Sequence, residues 1–161
     1  MPDSPQTQTT EPDFRGAHLG HWLAAALQRF DARVLSLMAR DEQVPLALSN
    51  LAARGSLSAS HVHVTRHLAL QGSRLTDLAR LAGMSKQAMG KLVGQCEAWG
   101  LVSRLEDPRD ARAKRIVFTP VGLVWLQAFR QAVTQAEDEL RAAVGAEVAT
   151  VIAIGLEAYA A

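Results

Sequence analysis

Apolar residues recur at helical spacing in long stretches near both ends of the chain, and the pattern switches to strict alternation only once, between them. Leu19, Trp22, Leu23, Ala26, Leu27, Phe30, Val34, Leu37 and Met38 form one stripe, which predicts a helix of about 20 residues or more, with structure beginning near Phe14. Pro45 and Arg54-Gly55-Ser56 interrupt it. A further helix is expected from about Ala59 to Leu70, with Val62, Val64 and Leu68 inward and Gln71-Gly72-Ser73 ending it. The stretch from Leu75 to Val102 divides at Gly83 into two short helices. Thr76 is the expected cap of the first, with Asp77 in its first turn and Leu78, Ala79, Leu81 and Ala82 inward. Ser85 is the expected cap of the second, whose Met89, Leu92, Val93 and Cys96 share a face. Gly83 and Gly100 supply the left-handed residues that end the two helices, Gly100 with Leu101 as its hydrophobic clasp.

After Gly100, Leu101, Ser103 and Leu105 alternate with Val102 and Arg104, and Ile116 and Phe118 alternate with Val117, which predicts two short antiparallel strands. Between them EDPRDARAK reads as a long, charged hairpin tip. Thr119-Pro120 opens another helix, threonine as cap and proline in the first helical position. Leu123, Leu126, Phe129, Val133, Ala136, Leu140 and Val144 make its stripe, and Val148, Val151, Ile152, Leu156 and Tyr159 that of a last helix after Gly145. The expected fold is therefore mainly α with a small β-hairpin, and the Pro-, Thr- and Gln-rich residues 1–13 are expected to be a disordered tail.

The length of 161 residues suits one domain. A single cysteine excludes an internal disulfide, residues 1–13 lack the basic start and apolar run of a secretory signal, and no run approaches the ~18 apolar residues of a membrane span. A cytoplasmic protein without membrane partners is expected. The net charge of +1 is uninformative, but its distribution is not: residues 1–71 are neutral, 72–116 carry +4 and 117–161 carry −3. A local basic field in a nearly neutral chain points to one anionic partner surface.

That field falls on the two short helices and the hairpin. A second helix capped by a small polar residue and starting with exposed polar side chains has the form that enters a DNA major groove. Ser85, Lys86, Gln87, Gly90 and Lys91 lie on its outward face. Gln87 is the candidate base reader, because an amide pairs bidentately with adenine, and Lys86 and Lys91 are candidate phosphate contacts. In the hairpin, Asp110 can orient Arg112 or Arg109 for a narrow minor groove, with Arg112 the preferred residue. Arg109, Lys114 and Arg115 are candidate backbone contacts, and Arg74, Thr76 and Arg104 weaker ones. A helix-turn-helix followed by such a hairpin is a winged helix.

With LTDLARLAGMSKQAMGKLV, the following GLVSR, DPRDAR at the wing tip and FTPVG leading out of it, the sequence resembles the MarR family of bacterial transcription regulators. The family's D-x-R wing signature falls on Asp110-Ala111-Arg112, and its Leu-Thr-x-x-Gly junction on Phe118 to Gly122. Gly90 departs from the serine that many members carry in mid recognition helix. The resemblance implies a single domain over 14–161, with 58–119 the winged helix-turn-helix and 14–57 and 120–161 dimerisation helices. It implies a homodimeric repressor on a pseudo-palindromic operator, released by a small-molecule effector in a cleft for which His21, Trp22, Arg66 and His67 are candidate walls.

His18/His21 and His63/His67 have spacings that can chelate zinc, but no acidic or cysteine partner accompanies them, so neither a metal nor a cofactor is expected. Cys96, on an apolar helix face, is expected to pack rather than react. No nucleophile, base and orienting group gather in one region, so an enzyme is not expected. The alternative to a DNA-binding regulator is a winged helix that has become a protein-interaction module.

Overall fold

The computed structural model describes Gly16, residues 18–108 and residues 110–161, and of Ala111 and Arg112 the backbone alone. The expected tail, the start near Phe14 and the whole of Arg109 lie outside the described residues. Among them, seven helices and three strands run α1 (Leu19–Met38), α2 (Leu46–Ala53), α3 (Ala59–His67), β1 (Ser73–Arg74), α4 (Leu75–Leu81), α5 (Lys86–Ala98), β2 (Val102–Asp107), β3 (Asp110–Phe118), α6 (Pro120–Val144) and α7 (Ala146–Ala160).

Several expectations are corrected. Helix α2 was not anticipated: it spans eight residues and buries only Leu48, too little to register as a period. Helix α3 ends at His67, because Leu68 turns extended and buries its side chain while Leu70 projects into solvent. Thr76 is not the cap of α4. Strand β1 keeps the chain extended through Arg74, which takes the N-cap position, so Thr76 lies exposed inside the helix. Leu81 is 50% exposed, because three residues beyond Leu78 the helix has turned it to the side away from Ala79. The charged tip is not a long loop: β2 reaches Asp107 and β3 starts at Asp110. Polar residues on both faces of a solvated ribbon hide the alternation, and opposite charges are paired across it, Glu106 facing Lys114.

The sheet is antiparallel with order β1-β3-β2, Ser73 opposing Ile116 and Arg74 opposing Arg115. Its two-residue first strand was not anticipated. The core joins α1, α3, α4, α5, the inner hairpin and α6 through Val34, Met38, Val64, Leu78, Met89, Val93, Ile116 and Trp125. Trp125 donates its Nε1–H to Thr65 Oγ1 at 3.1 Å, which satisfies the one polar atom of that buried ring.

Helix α6 opens as its Thr-Pro signature requires: Thr119 Oγ1 accepts the N–H of Gly122 at 3.0 Å, with Pro120 first in the helix. Gly122 packs directly on the backbone carbonyl of Leu101, where an added Cβ would overlap the oxygen. The buried face of α6 is Gly122, Trp125, Ala128, Ala132 and Ala136, rotated from the expected stripe, which leaves Leu123, Leu140 and Val144 exposed. The alanines let α1 lie close, and the Arg33–Glu139 pair ties the two helices at 2.7 Å. Beyond Gly145 the chain bends by 119° into α7, which buries Ala149 alone. No single helix among the described residues is long and apolar enough to cross a membrane.

Candidate nucleic-acid interface

Helices α4 and α5 meet through a Schellman turn. Gly83, at φ +62°, donates its N–H to Arg80 O, and Met84 donates to Ala79 O at 2.9 Å. Ser85 then caps α5, its hydroxyl accepting the N–H of Ala88 at 3.1 Å. Met89, Leu92, Val93 and Cys96 bury one face, so helical geometry turns Ser85, Lys86, Gln87 and Lys91 to solvent, with Gly90 at the margin. A Cβ on Gly90 would make only an ordinary 3.6 Å contact with Leu75, so the fold does not demand glycine there. A second Schellman turn at Gly100 ends the helix and buries Leu101.

The far half of α5 is held by a residue whose role sequence reasoning missed. His61 is buried, accepts the N–H of Ser58 at Nδ1 (3.1 Å) and lies 2.9 Å from Gln95 Oε1 through Nε2. Its ring also sits 4.8 Å from that of Trp99. Acceptance at Nδ1 assigns the proton to Nε2, which donates to Gln95. The spacing Ser58-x-x-His61 matches a capping box and was a usable signal.

The hairpin lies beside this helix through strand β2, and Arg104 pairs with Glu97 of α5 at 3.4 Å. Lys114 pairs with Glu106 at 3.5 Å, and Arg115 donates to Gly72 O at 3.4 Å. Arg74 donates through Nε to Asp107 Oδ2 at 2.7 Å, and its Nη2 lies 3.8 Å from Asp110 Oδ2. The hydrogen bond to Asp107, and then that carboxylate's charge, raise the Arg74 pKa above its already high ordinary value. Arg109 and the side chain of Arg112 lie outside the described residues.

The four candidate cleft residues occupy separate pairs. His21 and Trp22 stack edge to face at 5.1 Å in the first turns of α1. Arg66 grips the buried Asp31 at 2.7 Å, about 14 Å of helix rise beyond Trp22. His67 stacks parallel to His63 at 6.2 Å, and burial, then the charges of His63 and Arg66, push it below its ordinary value. A groove of about 650 Å³ runs along α1 and α2, lined by Gln28, Leu35, Arg40, Ala52 and Leu57 among others and by none of these four. No group of three His, Cys, Asp or Glu side chains that could hold a metal occurs among the described residues. Burial pushes the Cys96 thiol up to about 12, far from the reactive range.

Residues 57–113 match the sequence profile of the MarR family. The fold is shared with a probable transcriptional regulator from Pseudomonas aeruginosa, at 20% identity over 91% of this chain and 99% of that one, with a TM-score of 0.68. It is also shared with the transcriptional repressor CouR bound to a 23-mer DNA duplex, at 23% identity over 89% and 93%, with a TM-score of 0.64. Wild-type MarR from E. coli in its apo form gives 19% identity over 88% and 97%, with a TM-score of 0.60. No curated protein sequence matches the chain.

Proposed function

On the premise that this chain is a MarR-type winged-helix protein, we propose that it is a sequence-specific, DNA-binding transcriptional regulator working as a homodimer on a pseudo-palindromic operator. The observation that carries this reading is the recognition helix α5. It is anchored by a fully apolar inner face and capped at its N-terminus, and it offers Ser85, Lys86, Gln87 and Lys91 to solvent beside a basic hairpin. Gln87 reads a base edge, Lys86 and Lys91 meet phosphates, and Arg112 enters the minor groove. Residues 58–119 form the DNA-binding lobe, and segments 14–57 and 120–161 the dimerisation helices. The apolar surface left open on α7 supports that division. A small effector that binds one spacing of the two lobes better than the other releases the protein from its operator, which makes it a repressor.

The test is a titration of the purified protein against the DNA upstream of its own gene, with random duplex as control, at two salt concentrations. Preferential binding that weakens with salt is the expected result. Equal, weak binding to both duplexes would favour a protein-interaction module.

A further inference from the structure

Arg74 is the last residue before the first helix of the helix-turn-helix and also one of the two residues of β1. That strand supports only the inner part of the hairpin, ending where Arg74 opposes Arg115. Beyond Arg115 and its β2 partner Leu105, the ribbon has no third strand among the described residues. The backbone therefore leaves the outer wing attached to the body by its own two arms. The Arg74 side chain crosses that gap. Its Nε reaches Asp107, two residues farther out than Leu105, at 2.7 Å, and its Nη2 faces Asp110 at 3.8 Å.

The two carboxylates it faces oppose each other directly across the hairpin, at the irregular step where Asp107 pairs with Asp110. Like charges in that position destabilise a ribbon, and a guanidinium facing both offsets the repulsion. Asp107 is only 7% exposed, unusual for a carboxylate near the end of a two-stranded ribbon, so the contact is a packed one. A guanidinium with two edges turned to carboxylates is poorly placed to serve a phosphate. We infer that Arg74 is a positioning residue, a strut from the helix-turn-helix to the wing that fixes the outer wing at Asp107 and Asp110 relative to the recognition helix.

The inference rests on the DNA-binding reading for its effect on recognition, but the strut itself is tested without DNA. Hydrogen exchange on the full-length protein should show wing amides over 105–114 exchanging about tenfold faster in Arg74→Ala, the loss expected from one charged hydrogen bond. Exchange in α5 should be unchanged. Asp107→Asn should reproduce the effect, and Arg74→Lys should restore part of the protection, which also covers the case in which Arg74→Ala fails to fold. Unchanged wing exchange in the folded variants overturns the strut. The second arm uses a duplex selected by the wild-type protein from a randomised pool. Arg74→Ala should lose preference at the flanking base pairs with an unaltered salt slope. A uniform loss on every sequence, with a salt slope shallower by about one per protomer, would instead make Arg74 a phosphate contact and overturn the positioning role. If the wild-type protein selects no sequence at all, the regulator reading fails, and the exchange experiment still decides the strut.

Discussion

The terminal helices are richer in apolar residues than the winged-helix lobe, yet they bury fewer of them within the protomer. In α4, α5 and the strands next to them, Leu78, Met89, Val93, Leu101, Val102 and Ile116 are buried within the protomer. In α7, Val148, Val151, Ile152, Ile154, Leu156 and Tyr159 are exposed, Val151 by 69% and Tyr159 by 88%, and at the start of α1 Leu19 and Trp22 are exposed as well. One region closes its own core, whereas the other leaves a large apolar surface exposed, as the proposed homodimer requires. Helix α3 joins them: His61 reaches α5, Thr65 reaches Trp125 of α6, and Arg66 reaches Asp31 of α1. The nine residues of α3 thus touch both regions.

The comparison breaks most sharply at α7. With Val151→Glu and Ile152→Glu together, self-association should weaken by about 4 kcal/mol, roughly a thousandfold, as for central interface residues. Sedimentation velocity should show the protomer, while far-ultraviolet circular dichroism stays that of the folded chain. An unchanged sedimentation coefficient would remove α7 from the interface. The next effect is at the joint between the regions. Gly122→Ala places a methyl group on the Leu101 carbonyl, which neither backbone can easily yield, and should cost about 3 kcal/mol in urea unfolding.

How far these regions were legible follows from what each depends on. The recognition helix is specified locally, by Gly83, Ser85, an apolar face and Gly100, and all of those features appear in the structure. The Thr119-Pro120 start of α6 is equally local. Strand β1 was invisible, because two residues cannot show alternation. The buried face of α6 was misjudged because periodicity picks out large residues, whereas the close approach of α1 selects Ala128, Ala132 and Ala136. The partner of Arg74 lies 33 residues away on another strand, a pairing that no spacing rule supplies. The effector cleft was implied by the family resemblance, and its candidate walls fall on two helices, His21 and Trp22 on α1 and Arg66 and His67 on α3.

Two smaller effects sharpen the comparison. Gly90→Ala should stabilise the protein by about 1 kcal/mol, because alanine favours the helix and the added methyl meets only Leu75 at 3.6 Å. If operator affinity falls while thermal stability rises, glycine is held there by the approach of DNA. If both rise, the position is under no such constraint.

The smallest effect belongs to His67, on the helix that joins the regions. Burial and the neighbouring charges of His63 and Arg66 disfavour its protonation in the folded state, below the ordinary value of 6.5. The unfolded chain then binds the proton more readily, so this contribution to stability is present above pH 6.5 and is lost as the pH falls. Thermal unfolding midpoints followed from about pH 8 to pH 5 should decline on the acid side, and His67→Gln should flatten that decline. An identical acid limb in both proteins would show that protonation of His67 does not loosen the joint, which is then held by the contacts of Thr65, His61 and Arg66 alone.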